Sequence, residues 1–365
     1  MTPSLWHQTF IISAQVQDDI FIPVVFCFLP DKTRNSYDEM FSMIKDALAD
    51  RGLSVSAEFF MSDFEQNIRN SFTQFFPDVK PKGCHFHYAK AVFSKVSKNG
   101  LKPVYSDVKN SKFAGFVRAC IGLPYVPLER LNEGVRNLYI LATRLKGRQR
   151  RFSVKMIKYI EKTWIRGAYP PATWNMFQHE GVKTNNHAEG YNFKLGNKKR
   201  ISKHPNPYVL VDVFKQEFSE SLDDAITAKS GNPNKKYKSK KLTNLINKRT
   251  ELERNLKAGN TELIIYQQAM GGSVISLDAR ARNVDKEIEA FELDSEDEEI
   301  VIPEMVSIQP LPAETPPPVA ESEHVSTATY RSNGKGRKKT KSTKPKKRKK
   351  PQDDDDHPID TFLLV

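Results

Sequence analysis

Three groups of residues in this sequence have the types and spacing to do chemistry. Asp63 follows a short apolar run, 57–61 (AEFFM), within the stretch Ser62-Asp63-Phe64-Glu65. An aspartate at the end of a buried strand has its backbone fixed by the sheet, so its carboxylate can be held in one place for a cation. Two-metal phosphoryl transfer needs several carboxylates, each on a different rigid element, around ions about 4 Å apart. Asp63 suits one such position, and Glu189, over a hundred residues later on a predicted helix, suits another. An aspartate here equally suits the N-cap of the helix that follows, and the pattern alone leaves both readings open.

The second group is Cys84-His85-Phe86-His87. On a strand, Cys84 and Phe86 would share one face and His85 and His87 the other. A structural zinc site needs four ligands, and no second Cys/His pair lies at suitable spacing, so zinc is not expected. A place for His87 beside an active site is the better expectation.

The third group is basic. Eleven Lys and Arg fall between Lys335 and Lys350 with no acid among them, against a net charge of +13 for all 365 residues. The remainder is therefore close to neutral, which excludes a uniformly basic nucleic-acid coat. A run of this density, Lys346, Lys347 and Arg348 within it, binds phosphate backbones without sequence preference and in a salt-dependent way. It equally resembles a nuclear import signal, so import machinery and a nuclear location are expected. Arg148, Arg150 and Arg151, and later Lys198, Lys199 and Arg200, are further candidates for phosphate contacts.

The elements that must position these groups are visible as periodicity. Residues 9–16 (TFIISAQV) and 20–29 (IFIPVVFCFL) predict two strands joined by a polar turn into an antiparallel hairpin, with Pro23 a local weakness because it cannot donate to the ladder. Ser36-Tyr37-Asp38-Glu39 has capping-box spacing and predicts the start of a helix that stops at Gly52. A strand over 57–61, a helix running to Pro77, a strand over 82–87 and a helix to Gly100 follow. The order β-β-α-β-α-β-α predicts an α/β mixed sheet with helices packed on it.

Composition sets the larger divisions. Residues 1–104 read as the core, 105–180 as a mostly helical insertion, and 181–228 as the return to the core, including Asn185, Asn186 and Glu189. Residues 229–291 read as a basic helical and linker region. Residues 292–365 combine an acidic block, a Pro-rich stretch, the basic run and four consecutive aspartates, and are expected to be disordered. Three cysteines cannot build a disulfide framework and suit a reducing compartment. No run of 18 apolar residues and no signal-peptide pattern is present, so no membrane association is expected.

Six blocks in order, from TPSLWHQTFIISAQ through IPVVFCFLPDKTRNSYDEMFSMIK and MSDFEQNIRNSFTQFFPDVKPKGCHFHYAKAVFSKV to YIEKTWIRG, PPATWNMF and TNNHAEGYNFKLG, resemble the transposase domain of Mutator-like DNA transposons. The resemblance implies an RNase H-like fold with a helical insertion before the last acidic residue. It implies a DDE mechanism in which three carboxylates hold two Mg²⁺ (or Mn²⁺) ions for attack on a DNA phosphodiester, with a homo-oligomer assembled on transposon ends. By that resemblance Asp63 is the second acid and Glu189 the third, Cys84 and His87 form a Cys-x-x-His signature near the site, and Glu65, Asn185 and Asn186 shape it. The family's first acid lies in an Asp-Gly-Thr-Phe block just ahead of the segment that begins this sequence. The expectation is therefore that the first acid and its strand are missing, with a gap or bare edge in the sheet and an inactive enzyme. The alternative expectation is a domesticated, non-catalytic nuclear DNA-binding or regulatory protein.

Overall fold

The structure, a computed structural model, describes residues 2–17, 20–179, 183, 186–196, 204–230, 240–273 and 359–364. All of them belong to one compact unit, Met1–Ile308 with His357–Val365; a second unit, Gln309–Asp356, lies outside the described residues.

Strands β1 (Gln8–Gln17) and β2 (Ile20–Leu29) form the expected antiparallel hairpin. Pro23 is accommodated where the register shifts at Ile12/Ser13, and β2 is the outer strand of the sheet, so the missing donor costs no central rung. Helix α1 (Arg34–Ala49) begins two residues before the predicted capping box. Its N-cap is Thr33, which accepts from the Ser36 amide, while Asp31 accepts from the Thr33 amide (2.9 Å), the Thr33 hydroxyl (2.8 Å) and the Ser36 hydroxyl (2.6 Å). Gly52 turns the chain just beyond the helix with φ +61°, a conformation that glycine adopts without strain.

Strand β3 (Phe59–Ser62), helix α2 (Gln66–Phe75), strand β4 (Lys80–Gly83) and helix α3 (His85–Lys98) follow. β3 and β4 pair in parallel. The helical part then runs through α4 (Lys102–Ser106), α5 (Ser111–Gly122), α6 (Leu131–Thr143), α7 (Gly147–Ile160), a π-helical turn over Glu161–Ile165 and α8 (Pro171–Trp174). Beyond it lie α9 (Asn186–Gly196), α10 (Pro207–Lys229), α11 (Lys240–Lys257), α12 (Leu263–Gly272) and a last strand, β5 (Ile359–Leu364).

Among the described residues the strands form one mixed sheet of five, in the order β2-β1-β5-β3-β4. Alternation along β1 sorts its side chains between two layers. Phe10 and Ile12 pack with Tyr37, Met40 and Phe41 of α1 and with Ile68 and Phe72 of α2. Ile11, from the opposite face, packs with Leu195 of α9 and with Leu210, Val213 and Phe214 of α10. Helices thus cover both faces, and the mixed α/β class expected from the sequence is observed.

One expectation is corrected. Residues 359–364, placed by composition in a disordered tail, form β5. The expected gap or bare edge is therefore not observed: β5 runs between β1 and β3, parallel to the first and antiparallel to the second. Helix α12 lies in the region read as basic helical and linker sequence. Leu263, Tyr266, Gln267 and Met270 are buried in the helical part, where Gln267 Nε2 donates to Ala119 O (3.0 Å) and Tyr266 OH donates to Tyr125 O (3.0 Å). The approach of α12 to α5 needs glycine on both sides. A Cβ on Gly122 would meet the Gln267 carbonyl, and one on Gly271 would meet the Arg118 carbonyl.

Candidate functional site

The site is built where β3 and β4 end. β3 delivers Asp63 one residue past its last rung, and the Ser62 carbonyl accepts from the Cys84 amide (2.9 Å), tying the end of β3 to the start of α3. The backbone just past Asp63 is pinned from the helical part: Tyr169 OH donates to Phe64 O (2.6 Å), and the Phe64 ring stands edge-on to Trp164 (4.6 Å between centroids) and Tyr169 (5.2 Å). The Arg69 guanidinium lies 5.7 Å from the Phe64 ring centroid. Burial holds its pKa down at about 10, against a smaller upward pull from Tyr169.

The strand expected over 82–87 ends at Gly83. Cys84 is the N-cap of α3, and His85 to His87 form its first turn. At this point the chain passes close under the Phe64 ring, which a Cβ at Gly83 would overlap. Helical geometry places Cys84 and His87, three apart, on one side of the first turn and sends His85 elsewhere. His85 is buried, with Nε2 3.1 Å from Ile121 O and Nδ1 3.4 Å from Tyr125 OH. Burial pushes its pKa down to about 3, so the ring is neutral.

His87 faces Asp63. Its Nδ1 lies 2.9 Å from Asp63 Oδ1, an ion pair close in distance though not aligned as a hydrogen bond. Burial alone would lower its pKa, but Asp63 and the neighbouring Cys84 together raise it to about 10. His87 is thus an imidazolium held against the strand-end carboxylate. Asp63 is not the N-cap of α2; that position belongs to Glu65, whose side chain makes no capping bond there. Glu65 Oε1 instead accepts from Tyr37 OH (2.9 Å), and the same hydroxyl lies 3.4 Å from Gln8 Oε1. Tyr37 therefore orients Glu65, a role that the sequence reading missed. Its only signal was a tyrosine on the apolar face of α1.

Glu189 lies on α9, as expected, but its carboxylate, the side chain of Asn186 and residue Asn185 are outside the described residues. What is described is how α9 is brought to this place. The His85 amide donates to Lys183 O (3.1 Å), so the chain entering α9 passes the first turn of α3. Ala188 is buried in the cluster that holds Tyr88, Ala89 and Val92 of α3, and the His187 ring stacks on Phe21 at 4.3 Å. Two blocks a hundred residues apart in sequence thus meet through their backbones.

A hard divalent cation suits carboxylate oxygen on a rigid strand end, and Asp63 supplies one. Among the described residues no group of three or more His, Cys, Asp or Glu is arranged to hold a metal ion. Cys84, His85 and His87 do not converge, because His85 is turned into the helical core.

Of the basic candidates, Arg148, Arg150 and Arg151 lie on α7, Arg148 exposed and donating from Nη2 to Asn99 O (2.6 Å). Lys198, Lys199, Arg200, Lys346, Lys347 and Arg348 lie outside the described residues. No described helix is long and apolar enough to cross a membrane.

Comparison with known proteins finds no match among curated proteins and none among solved structures. One family model does match: residues 5–91, the span holding Asp63, Glu65, Cys84 and His87 but not Glu189, match the MULE transposase domain, consistent with a Mutator-like element transposase domain.

Proposed function

We propose that this protein is a transposon-derived transposase of the Mutator-like type, with an RNase H-like core that acts on DNA phosphodiester bonds by DDE chemistry. The observation that carries the reading is the position of Asp63. It directly follows β3, an inner strand of a sheet covered by helices on both faces, inside the matched segment, and the chain entering α9 passes the first turn of α3 at the same strand ends.

In this reading Asp63 and Glu189 hold Mg²⁺ or Mn²⁺. When bound, such ions polarise the scissile phosphate and lower the pKa of the attacking water or 3′-hydroxyl. The remaining work falls to the chain's own side chains. His87 keeps a proton on Nδ1 and fixes the orientation of the Asp63 carboxylate. Tyr37 fixes the Glu65 side chain two residues on, and the aromatic wall of Phe64, Trp164 and Tyr169 packs against the backbone just past Asp63. Cationic side chains on α7, together with the basic run between Lys335 and Lys350, supply sequence-independent phosphate contacts. The same run directs nuclear import, and the protein assembles as a homo-oligomer on transposon ends.

The test is Mg²⁺- or Mn²⁺-dependent nicking of supercoiled DNA. Asp63→Asn and Glu189→Gln each abolish it while leaving DNA binding within about twofold, since carboxylates that hold metal act on the step rather than on the phosphate grip. Nicking that persists in both variants overturns the assignment.

One observation favours a second reading. The Asp63 carboxylate is already paired with a protonated His87, the arrangement of a structural ion pair. A domesticated nuclear DNA-binding or regulatory protein would show salt-dependent binding, no nicking with either metal, and no loss of binding in Asp63→Asn.

A further inference from the structure

We propose that the Arg69 guanidinium is a seat for a backbone phosphate of nucleic acid, set in the aromatic wall beside the strand end that carries Asp63. The identity of the ligand rests on the DNA reading above; the seat itself rests on how this one side chain is buried.

Arg69 lies in the first turns of α2, four residues past the N-cap Glu65, and its amide donates to Glu65 O (3.3 Å). The residue is only 7 % exposed. Arginine is seldom buried without a partner, because taking its charge out of water is costly unless an anion or well-placed acceptors offset the loss. Other arginines of this protein show the ordinary solutions. Arg34 Nε meets Asp38 Oδ1 at 2.7 Å, Arg130 forks onto the two Glu133 oxygens at 2.9 and 2.8 Å, and Arg249 donates to Ser273 Oγ (2.8 Å) and O (3.0 Å). Arg69 differs from all three. Its Nη1 is buried with no hydrogen-bond partner, and among the described residues no carboxylate acts on the guanidinium.

What surrounds it is aromatic. Its Cζ lies 5.7 Å from the Phe64 ring centroid and 5.9 Å from that of Tyr169. Ring faces attract the cation, but they offer no oxygen to its N–H groups. The Tyr169 hydroxyl is turned elsewhere and donates to Phe64 O (2.6 Å). A guanidinium held this way is fixed in place while its donors, which lie in one plane, stay unfilled. That planar fork matches two oxygens of a phosphate. With a pKa of about 10 the group keeps its charge at neutral pH.

The place in the fold points to the same ligand. Phe64 directly follows Asp63, so the rings that hold Arg69 are the ones that pin the chain beside the strand-end carboxylate. Asp63, Phe64 and Tyr169 are each partly exposed, so the cluster meets solvent at its rim. Asp63 and Arg69 flank Phe64, one next to it in the chain and the other against its ring. A carboxylate suited to a cation and a cation suited to a phosphate thus share one wall. A guanidinium that merely propped Phe64 against Tyr169 would take no ligand, and the salt dependence of DNA binding separates the two roles.

The experiment uses the full chain. Arginine Nε–Hε resonances are followed by NMR, and the Arg69 signal is identified by its loss in Arg69→Lys. A short DNA duplex shifts this signal. Affinity for the same duplex is measured between about 50 and 200 mM salt. Arg69→Met lowers it by about 10-fold and reduces the slope of log K against log salt by about 1, the loss of one phosphate contact. Arg69→Lys keeps the slope but binds more weakly than the wild type, because lysine retains the charge without the fork. Arg130→Met, whose cation is already matched by Glu133, leaves slope and affinity unchanged. If Arg69→Met fails to fold, the wild-type titration and Arg69→Lys decide. A resonance unmoved by DNA overturns the proposal, as does an unchanged slope in folded Arg69→Met. A shift caused by inorganic phosphate but not by DNA overturns the assignment to a nucleic-acid backbone. Metal-dependent nicking by a wild type whose Arg69 signal ignores DNA removes the seat alone, whereas a wild type that binds no DNA removes the transposase reading with it.

Discussion

His85 and His87 stand two positions apart on the first turn of α3 and are held in opposite charge states. His85, buried against Ile121 O and Tyr125, is neutral with a pKa of about 3, and His87, against Asp63, is cationic with a pKa of about 10. Both values leave the ordinary 6.5. The pair makes stability fall on both sides of neutrality. For His85, the unfolded chain binds a proton that the folded ring refuses, so its contribution is complete above about pH 6.5 and is lost as pH falls toward 3. For His87, the folded ring keeps a proton that the unfolded chain gives up, so its contribution is complete below about pH 6.5 and is lost as pH rises toward 10. Urea unfolding across this range checks the prediction. His87→Gln flattens the alkaline side and costs about 1–3 kcal/mol near neutrality, the range for a hydrogen-bonded or paired charged group. A wild-type profile that is flat above pH 7 would contradict it.

Gly83→Ala tests how the strand end is set. The added Cβ meets the Phe64 ring, and that ring is already confined by Trp164, Tyr169 and Arg69. The ring must move and take the backbone beside Asp63 with it. The expected cost is about 1–3 kcal/mol, typical of overpacking, with the His87 resonances shifting in NMR spectra. Unchanged stability would mean that the aromatic wall has slack that the structure does not show.

Gly122 and Gly271 allow α5 and α12 to touch, backbone against backbone. Alanine at either position meets a carbonyl rather than a mobile side chain, so relief requires the helices to separate. Each substitution is expected to cost about 3 kcal/mol or more, and to release Tyr266 and Gln267 from their bonds to Tyr125 O and Ala119 O. Tryptophan fluorescence reports the change, since Trp164 and Trp174 lie in the same cluster.

Lys194 and Glu217 join α9 to α10. Glu217 is 0 % exposed and Lys194 Nζ lies 3.0 Å from its Oε2. Lys194 itself is 55 % exposed, so Lys194→Met is expected to cost about 1–3 kcal/mol rather than the full penalty of a buried pair, and the double variant Lys194→Met/Glu217→Leu to recover most of the loss. Burial first, and the charges of Glu217 and Glu220 next, push the Tyr191 hydroxyl pKa up, so this tyrosine is a neutral neighbour that cannot replace the cation. Thermal melts of the two variants decide the matter.

What could be read from the sequence was what repeats locally. The hairpin was legible because its apolar residues alternate between turn residues, and the class of the sheet followed from the order of elements. Asp63 was legible as a strand-end acid, but not its choice of partner, because a capping aspartate and a site aspartate have the same local signature. The turn Cys84–His87 was read as strand because three or four residues cannot separate a period of 2 from one of 3.6. α12 was hidden for the opposite reason: in LIIYQQAMGG the polar Gln267 is buried and the apolar Ile265 is 55 % exposed, so no apolar stripe with a polar face opposite marks the helix. β5 was hidden by its setting, a six-residue strand, IDTFLL, next to charged runs, whose partners lie at the other end of the sequence.

That separation sets a timetable for folding. Ile12 meets Phe362 across about 350 residues of chain, and closing such a loop costs only slowly growing entropy, about 0.6 kcal/mol for each doubling of length. The delay is larger than the penalty, because non-local pairings are the slow steps of folding. The β1–β2 hairpin and the helices of residues 111–160 can form early from near neighbours, while the middle rungs of the sheet close last. A nascent molecule therefore passes through a state with two open β-edges, and it is there, rather than in the finished protein, that misassociation between copies would begin.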